Sequence, residues 1–313
     1  MGTRTALFSR RQPGGVFTID DFAEHPGDIF FVNSVGGTDG AGYGQNPDSP
    51  FATIDYAVGV ATASKGDVIY VMPGHVETIA NATALAIDKA GLTIRGLGKG
   101  TIRPTITFSG ATSNIPISAA NVKLSNILLL GSAGVDVTSA ITITAADVEC
   151  EDIECQESGA TVQFKAMFTL GTGSARARII RPIHRGHASG DANEAAITCA
   201  VAVDGVYIEQ PDFDGLYSNG AIYNVTNAMT NLTIVFPGGR GHLRNRHATR
   251  DSGISVVATT TGQVLSPRIR TATNDADGFN LAIVAAAMQV YDPLVVNADG
   301  ERAGIWGTAS AAA

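Results

Sequence analysis

The chain has 313 residues, 44% hydrophobic, 16% charged and 6% aromatic, with 36 glycines and a formal net charge of −8. That charge excludes a surface that binds nucleic acid over its whole extent, and sparse charge with many glycines favours short strands and turns over long surface helices. Few aromatics leave a core of Val, Ile, Leu and Ala, and sixteen Arg against five Lys favour fixed, bidentate ion pairs.

Residues 1–27 read as a basic arm. Arg4, Arg10 and Arg11 stand there without the apolar run of a secretory leader, so synthesis in the cytoplasm is expected. Residues 28–80 read as a cap. Ser49-Pro50 is a good helix start, with Ser as N-cap and Pro at the first helical position. Ile54, Val58 and Ala61 would follow on one face, before the strand Val68–Val71. A helix there would close the end of whatever stack follows.

From 81 to 270 one pattern recurs: a short apolar strand, a turn of about four residues and an alternating strand. Its anchors are Leu92, Val122, Val148, Ala175, Val206, Leu232 and Val264, spaced by 30, 26, 27, 31, 26 and 32 residues. Alternation within each copy excludes a helical repeat, and hairpin turns at the spacing of a β-sandwich are lacking. The fold class predicted is all-β, a right-handed parallel β-helix of about seven coils that share one core. Cys150, Cys155 and Cys199 have no metal-ligand spacing and no even disulfide framework, so buried thiols are expected. Residues 271–313 show no further repeat and read as a distal cap or arm, with an apolar stretch Phe279–Val290 and a tail around Trp306. The longest aliphatic run, Leu281–Met288, is too short to span a bilayer, and no membrane partner is expected.

The segments Gly37–Gly44, Pro47–Ile54 and Gly66–His75 together resemble the start of pectin-lyase-like β-helix proteins. Within that superfamily they are most similar to proteins of tailed-phage particles. The resemblance implies a structural virion component, a capsid decoration or head fibre, in a homotrimer. Its partners would be the major capsid protein or other virion proteins; the basic, Gly-rich arm bearing Arg4, Arg10 and Arg11 reads either as disordered or as a coat-binding or subunit-swapped arm. The same superfamily holds tailspikes and polysaccharide-cleaving enzymes, so a depolymerase or carbohydrate-binding protein acting on bacterial surface glycan is the alternative.

Chemistry is sparse. Stacking from the anchors places Glu149, Arg176 and Tyr207 in one row, and Glu151, Arg178 and Glu209 in another. These charges read either as a groove with an Arg base or as an ion ladder, and the ladder is preferred. Pectate lyases carry Arg-x-Pro-x-x-Arg; here Pro182 and Arg185 fit, but Ile180 holds the first place and Arg181 is displaced by one. Gly186-His187-Ala188 is only a fragment of the polygalacturonase pattern. Asp212 with Asp214, or Asp191 with Glu194, could supply a glycosidase's two carboxylates. The densest polar segment, Arg240, His242, Arg244, Arg246, His247 and Arg250, reads as a docking loop for an acidic partner or anionic glycan, or as a solvated loop paired with nearby acids. Its two histidines make a weak metal site. No catalytic residue, metal or cofactor is assigned.

Overall fold

The computed structural model describes residues 27–132, 134, 136–189, 193–224, 227–248, 252–272, 283–284 and 287–296. The chain winds as a right-handed parallel β-helix. Its strands stack into three parallel sheets, of ten, nine and seven strands among the described residues. One coil illustrates the path. Glu149–Glu151 runs in the first sheet, Glu154–Gln156 in the second and Ala166–Leu170 in the third, before Arg178–Ile180 returns to the first.

Alternation decides what faces inward. In the first sheet Ile69, Ile94, Leu124, Cys150, Ile179, Ile208, Ile234 and Val264 lie one above another in register, all buried. Each such aliphatic side chain contributes about 1.5–3 kcal/mol on burial, and adjacent rungs are about 4.8 Å apart. At the tight corners between first-sheet and second-sheet strands a single residue bends through the left-handed region, whereas the longer connections at 97–104 and 236–241 use two or three glycines. Asn126, Asp152, Arg181, Gln210 and Ser266 do so, with φ between 49° and 56°. Asn and Asp tolerate this best because their short polar side chains bond locally.

The anchors Leu92, Val122, Val148, Val206 and Leu232 are buried as expected. The backbone bonds Lys123 N–H to Leu92 O, Glu149 N–H to Val122 O and Arg178 N–H to Val148 O tie successive rungs. Two other anchors are corrected. Ala177, not Ala175, follows Val148 in the stack, because Arg178 N–H bonds Val148 O and Tyr207 N–H bonds Ala177 O. Gly262, not Val264, pairs with Leu232. Both slips are of two residues, which leave every side chain on the same face and are invisible to hydrophobic alternation.

The helix starts later than Ser49-Pro50. It spans Ile54–Val60, with Thr53 as N-cap accepting from Tyr56 N–H. Ser49 instead closes a turn onto Asn46 O. Asp39 decides the start, since its carboxylate accepts Ala52 N–H at 2.8 Å, Thr53 N–H at 3.1 Å and the Thr53 hydroxyl at 2.8 Å. Ile54, Ala57 and Val58 are buried against the terminal rungs Ile29–Val32 and Val68–Val71, so the helix does cap that end. Glu77 accepts Ile54 N–H at 3.0 Å and so ties the helix to the second sheet.

Stacking also continues beyond residue 270. Ile283–Val284, Ala287–Tyr291 and Leu294–Val296 extend the third, first and second sheets, so the repeat runs through the segment expected to be non-repeating. Phe279 and Trp306 lie outside the described residues.

Candidate functional site

Register determines which charges meet on the outer face of the first sheet. Lys123, Glu149, Arg178 and Tyr207 are consecutive in one row, and Ser125, Glu151, Ile180 and Glu209 in the next. Arg176 is therefore not Glu149's neighbour, and Arg178 does not lie between Glu151 and Glu209. Arg178 sits 3.2 Å from Glu149, with its guanidinium 4.8 Å from the centre of the Tyr207 ring. Lys123 bridges Glu149 at 2.7 Å and Glu151 at 2.8 Å. Burial disfavours the charged lysine, yet the two carboxylates outweigh it and hold Lys123 above its ordinary pKa. Lys123 and Arg181 in turn hold Glu151 below the usual carboxylate value against the effect of burial. Glu209 accepts the Tyr207 hydroxyl at 2.9 Å.

Arg176 and Arg181 occupy the two left-handed corners of one coil. Arg176 forks onto Asp147 through two bonds of 2.7 Å, and Arg181 onto Asp152 at 2.7 and 2.9 Å. Arg181 also pairs with Glu151. Its hydrogen bonds to these carboxylates push its pKa further up, the wrong direction for a lyase base. Beside this row lies a groove of about 870 Å³ lined by Tyr70, Arg95, Lys99, Lys123, Glu151 and Arg181, among others. Its wall is the Gly96–Lys99 loop, held by the Asn126 carboxamide, which donates to Gly96 O and Gly98 O.

On the second sheet's outer face, Asp212 pairs with Arg185 and with His242 at 2.9 Å. Asp214 pairs with Arg246 at 2.5 Å and Arg244 at 3.4 Å. Burial raises the Asp212 pKa, but His242 and Arg185 outweigh it and hold the carboxyl well below its ordinary range. A glycosidase's general acid needs the opposite shift. His242 is raised by its bond to Asp212, against burial. Glu194 is 3.9 Å from Lys165, and Asp191 lies outside the described residues.

The arginine-rich segment is not a loop. Strand His242–Asn245 carries its middle as part of the second sheet, after a turn at Pro237–Gly239. Asp212 and Asp214 of the preceding rung partly neutralise it, and Arg246 also donates to the carbonyls of Gly186 and His187 at 2.8 and 3.1 Å. Arg240 is exposed. Arg4, Arg10, Arg11 and Arg250 lie outside the described residues. Among the described residues, no three His, Cys, Asp or Glu side chains converge to hold a metal ion.

Sequence reasoning missed a buried polar chain inside the coils. His184 occupies an inward position of the second sheet, stacked between Cys155 and Phe213. Its Nδ1 lies 2.6 Å from the Tyr217 hydroxyl and its Nε2 3.4 Å from Glu157 Oε1, and all three side chains are shut off from solvent. Glu157 also accepts Phe164 N–H at 3.0 Å, His187 N–H at 2.8 Å and the Asn193 amide at 2.5 Å. Burial pushes its pKa up, but His184 and the two backbone donors outweigh it and leave Glu157 below its usual value. Burial drives Tyr217 well above the ordinary phenol value. The only signal in the sequence is that His184 sits at inward parity between Ile183 and Arg185. A closed chain of this kind organises structure and reaches no substrate. The cysteines are equally enclosed, with burial pushing Cys150 up to about 12 and Cys155 well above its ordinary value.

Comparison of the chain with protein-family models, curated proteins and solved structures finds no match.

Proposed function

We propose that the protein is a non-enzymatic structural component of a tailed-phage particle, a capsid decoration or head fibre, built as a homotrimer. One observation carries the non-enzymatic half: the groups a polysaccharide-cleaving enzyme needs are already paired. Arg181 is committed to Asp152 and Glu151, and Arg185 to Asp212. Asp214 is committed to Arg246 and Arg244. Among the described residues, no free acid and base face each other across these rows. A rigid rod whose backbone bonds are satisfied between coils suits a particle exposed to proteases. The phage assignment itself stands on the resemblance of Gly37–Gly44, Pro47–Ile54 and Gly66–His75. It implies the major capsid protein as partner, with the arm bearing Arg4, Arg10 and Arg11 as a contact.

The test is to look for the chain in gradient-purified virions from cells that express it. Presence in the lysate with absence from the virions overturns the particle role. Incubation with host capsule or lipopolysaccharide checks the rest, and new reducing or unsaturated ends overturn the non-enzymatic role. The groove beside Tyr70 and Arg95 favours a second reading, a carbohydrate-binding β-helix for bacterial surface glycan. Glycan binding lost in Arg95→Ala, without cleavage, would support that reading.

A further inference from the structure

In a chain of net charge −8, the later coils of the second sheet are unbalanced in the opposite sense. Between residues 215 and 272 the described residues include Arg240, Arg244, Arg246, Arg268 and Arg270, and no Asp or Glu. Arg244 and Arg246 share the single carboxylate of Asp214. Arg240, Arg268 and Arg270 have no acidic partner among the described residues, and all three are exposed.

Register gathers them. Arg270 stands beside Arg244, and Arg268 beside His242, on rungs about 4.8 Å apart. The Arg268 guanidinium packs over Gly239, next to Arg240, where a Cβ would collide with it. A concavity of about 180 Å³ opens between Arg244, Arg246 and Arg270, floored by Asn245, Thr271 and Ala272. On the following rung Leu294 and Val296 continue the outward rows of Arg268 and Arg270, and both stay partly exposed.

We propose that this surface docks a carboxylate-rich protein segment. Guanidinium forks from Arg240, Arg244, Arg268 and Arg270 take the carboxylates, and Leu294 and Val296 take aliphatic side chains. Arg is the cation whose planar fork matches a carboxylate bidentately and is enriched in protein interfaces. The mixture with Leu and Val favours a protein over an acidic glycan, because the outer rows of the second sheet hold no Phe, Tyr or Trp among the described residues to receive a sugar ring. The inference concerns the partner's chemistry and holds whether or not the protein sits on a particle.

The experiment uses the full chain with fluorescent poly-L-glutamate as probe and polygalacturonate as competitor. An acidic chain is repelled by an acidic polymer unless a local patch captures it. The expected result is binding at low ionic strength that weakens steeply with salt. Arg268→Glu/Arg270→Glu should weaken it by about tenfold or more, while Lys89→Glu, in the turn before the first-sheet strand Thr93–Gly96, leaves it unchanged. Should charge reversal lower the thermal midpoint, Arg268→Gln/Arg270→Gln carries the comparison. Absence of poly-glutamate binding overturns the proposal, as does binding that the second-sheet variants retain. Tighter binding of polygalacturonate than of poly-glutamate reassigns the patch to glycan and overturns it too.

Discussion

The hydroxyl of Tyr217 lies 2.6 Å from Nδ1 of His184, on a different coil, with both side chains fully enclosed. With Nε2 turned toward Glu157 at 3.4 Å, the tautomer protonated there leaves Nδ1 to accept the Tyr217 proton. Tyr217→Phe keeps the ring and leaves Nδ1 without its donor. It should cost about 1–3 kcal/mol, read from the denaturation midpoint. Unchanged stability would show that the hydroxyl is not a structural partner.

Glu157 makes stability depend on acid. Its folded pKa lies below its usual value, so its contribution is present above the unfolded value of about 4.3 and is lost as pH falls through the folded one. Asp212 is depressed likewise. The thermal midpoint should therefore drop on acidification below about pH 4.3. Glu157→Gln, compared with the unaltered chain across the same range, should flatten part of that drop. Parallel curves would remove Glu157 from the account.

The Asp212–His242 pair acts with the opposite sign on its histidine. His242 is raised above its ordinary value, so its contribution is complete below the unfolded value of about 6.5 and fades as pH rises through the folded one. The side chain is half exposed, which limits the effect to at most about 1 kcal/mol. Histidine titration followed by NMR should show a lower His242 midpoint in Asp212→Asn than in the unaltered protein.

Rung register can be checked energetically. A double-mutant cycle between Glu149 and Arg178 should give a small favourable coupling, below about 1 kcal/mol. The cycle between Glu149 and Arg176 should give none, because Arg176 is bound to Asp147 at the neighbouring corner. A coupling that favours Arg176 would restore the row that simple spacing suggests.

Thiol reagents test the shared interior. Cys150 and Cys155 are buried, and burial raises their thiol pKa values, so neither presents a thiolate to solvent. Native protein should leave both unlabelled, and denaturant should release them together. Early labelling of Cys150 would show that the first-sheet stack opens locally.

Leu92, Val122, Val148 and Val206 show how far the sequence reaches. Period-two alternation is local, so it reveals which side chains point inward and in what order the coils lie along the axis. For the same reason it cannot separate Ala175 from Ala177, or Val264 from Gly262, since a two-residue slip preserves every face. The pairing of Arg178 with Glu149, the partition of Arg244 and Arg246 onto Asp214, and the meeting of Glu157, His184 and Tyr217 all depend on that choice. Only the folded stack decides it, because turns of unequal length absorb the differences between coils, and inter-rung hydrogen bonds set which residue lies above which. The chain's own pattern determined a solenoid with an aliphatic interior; tertiary contacts determined which charges became neighbours on its surface and which polar groups were sealed within.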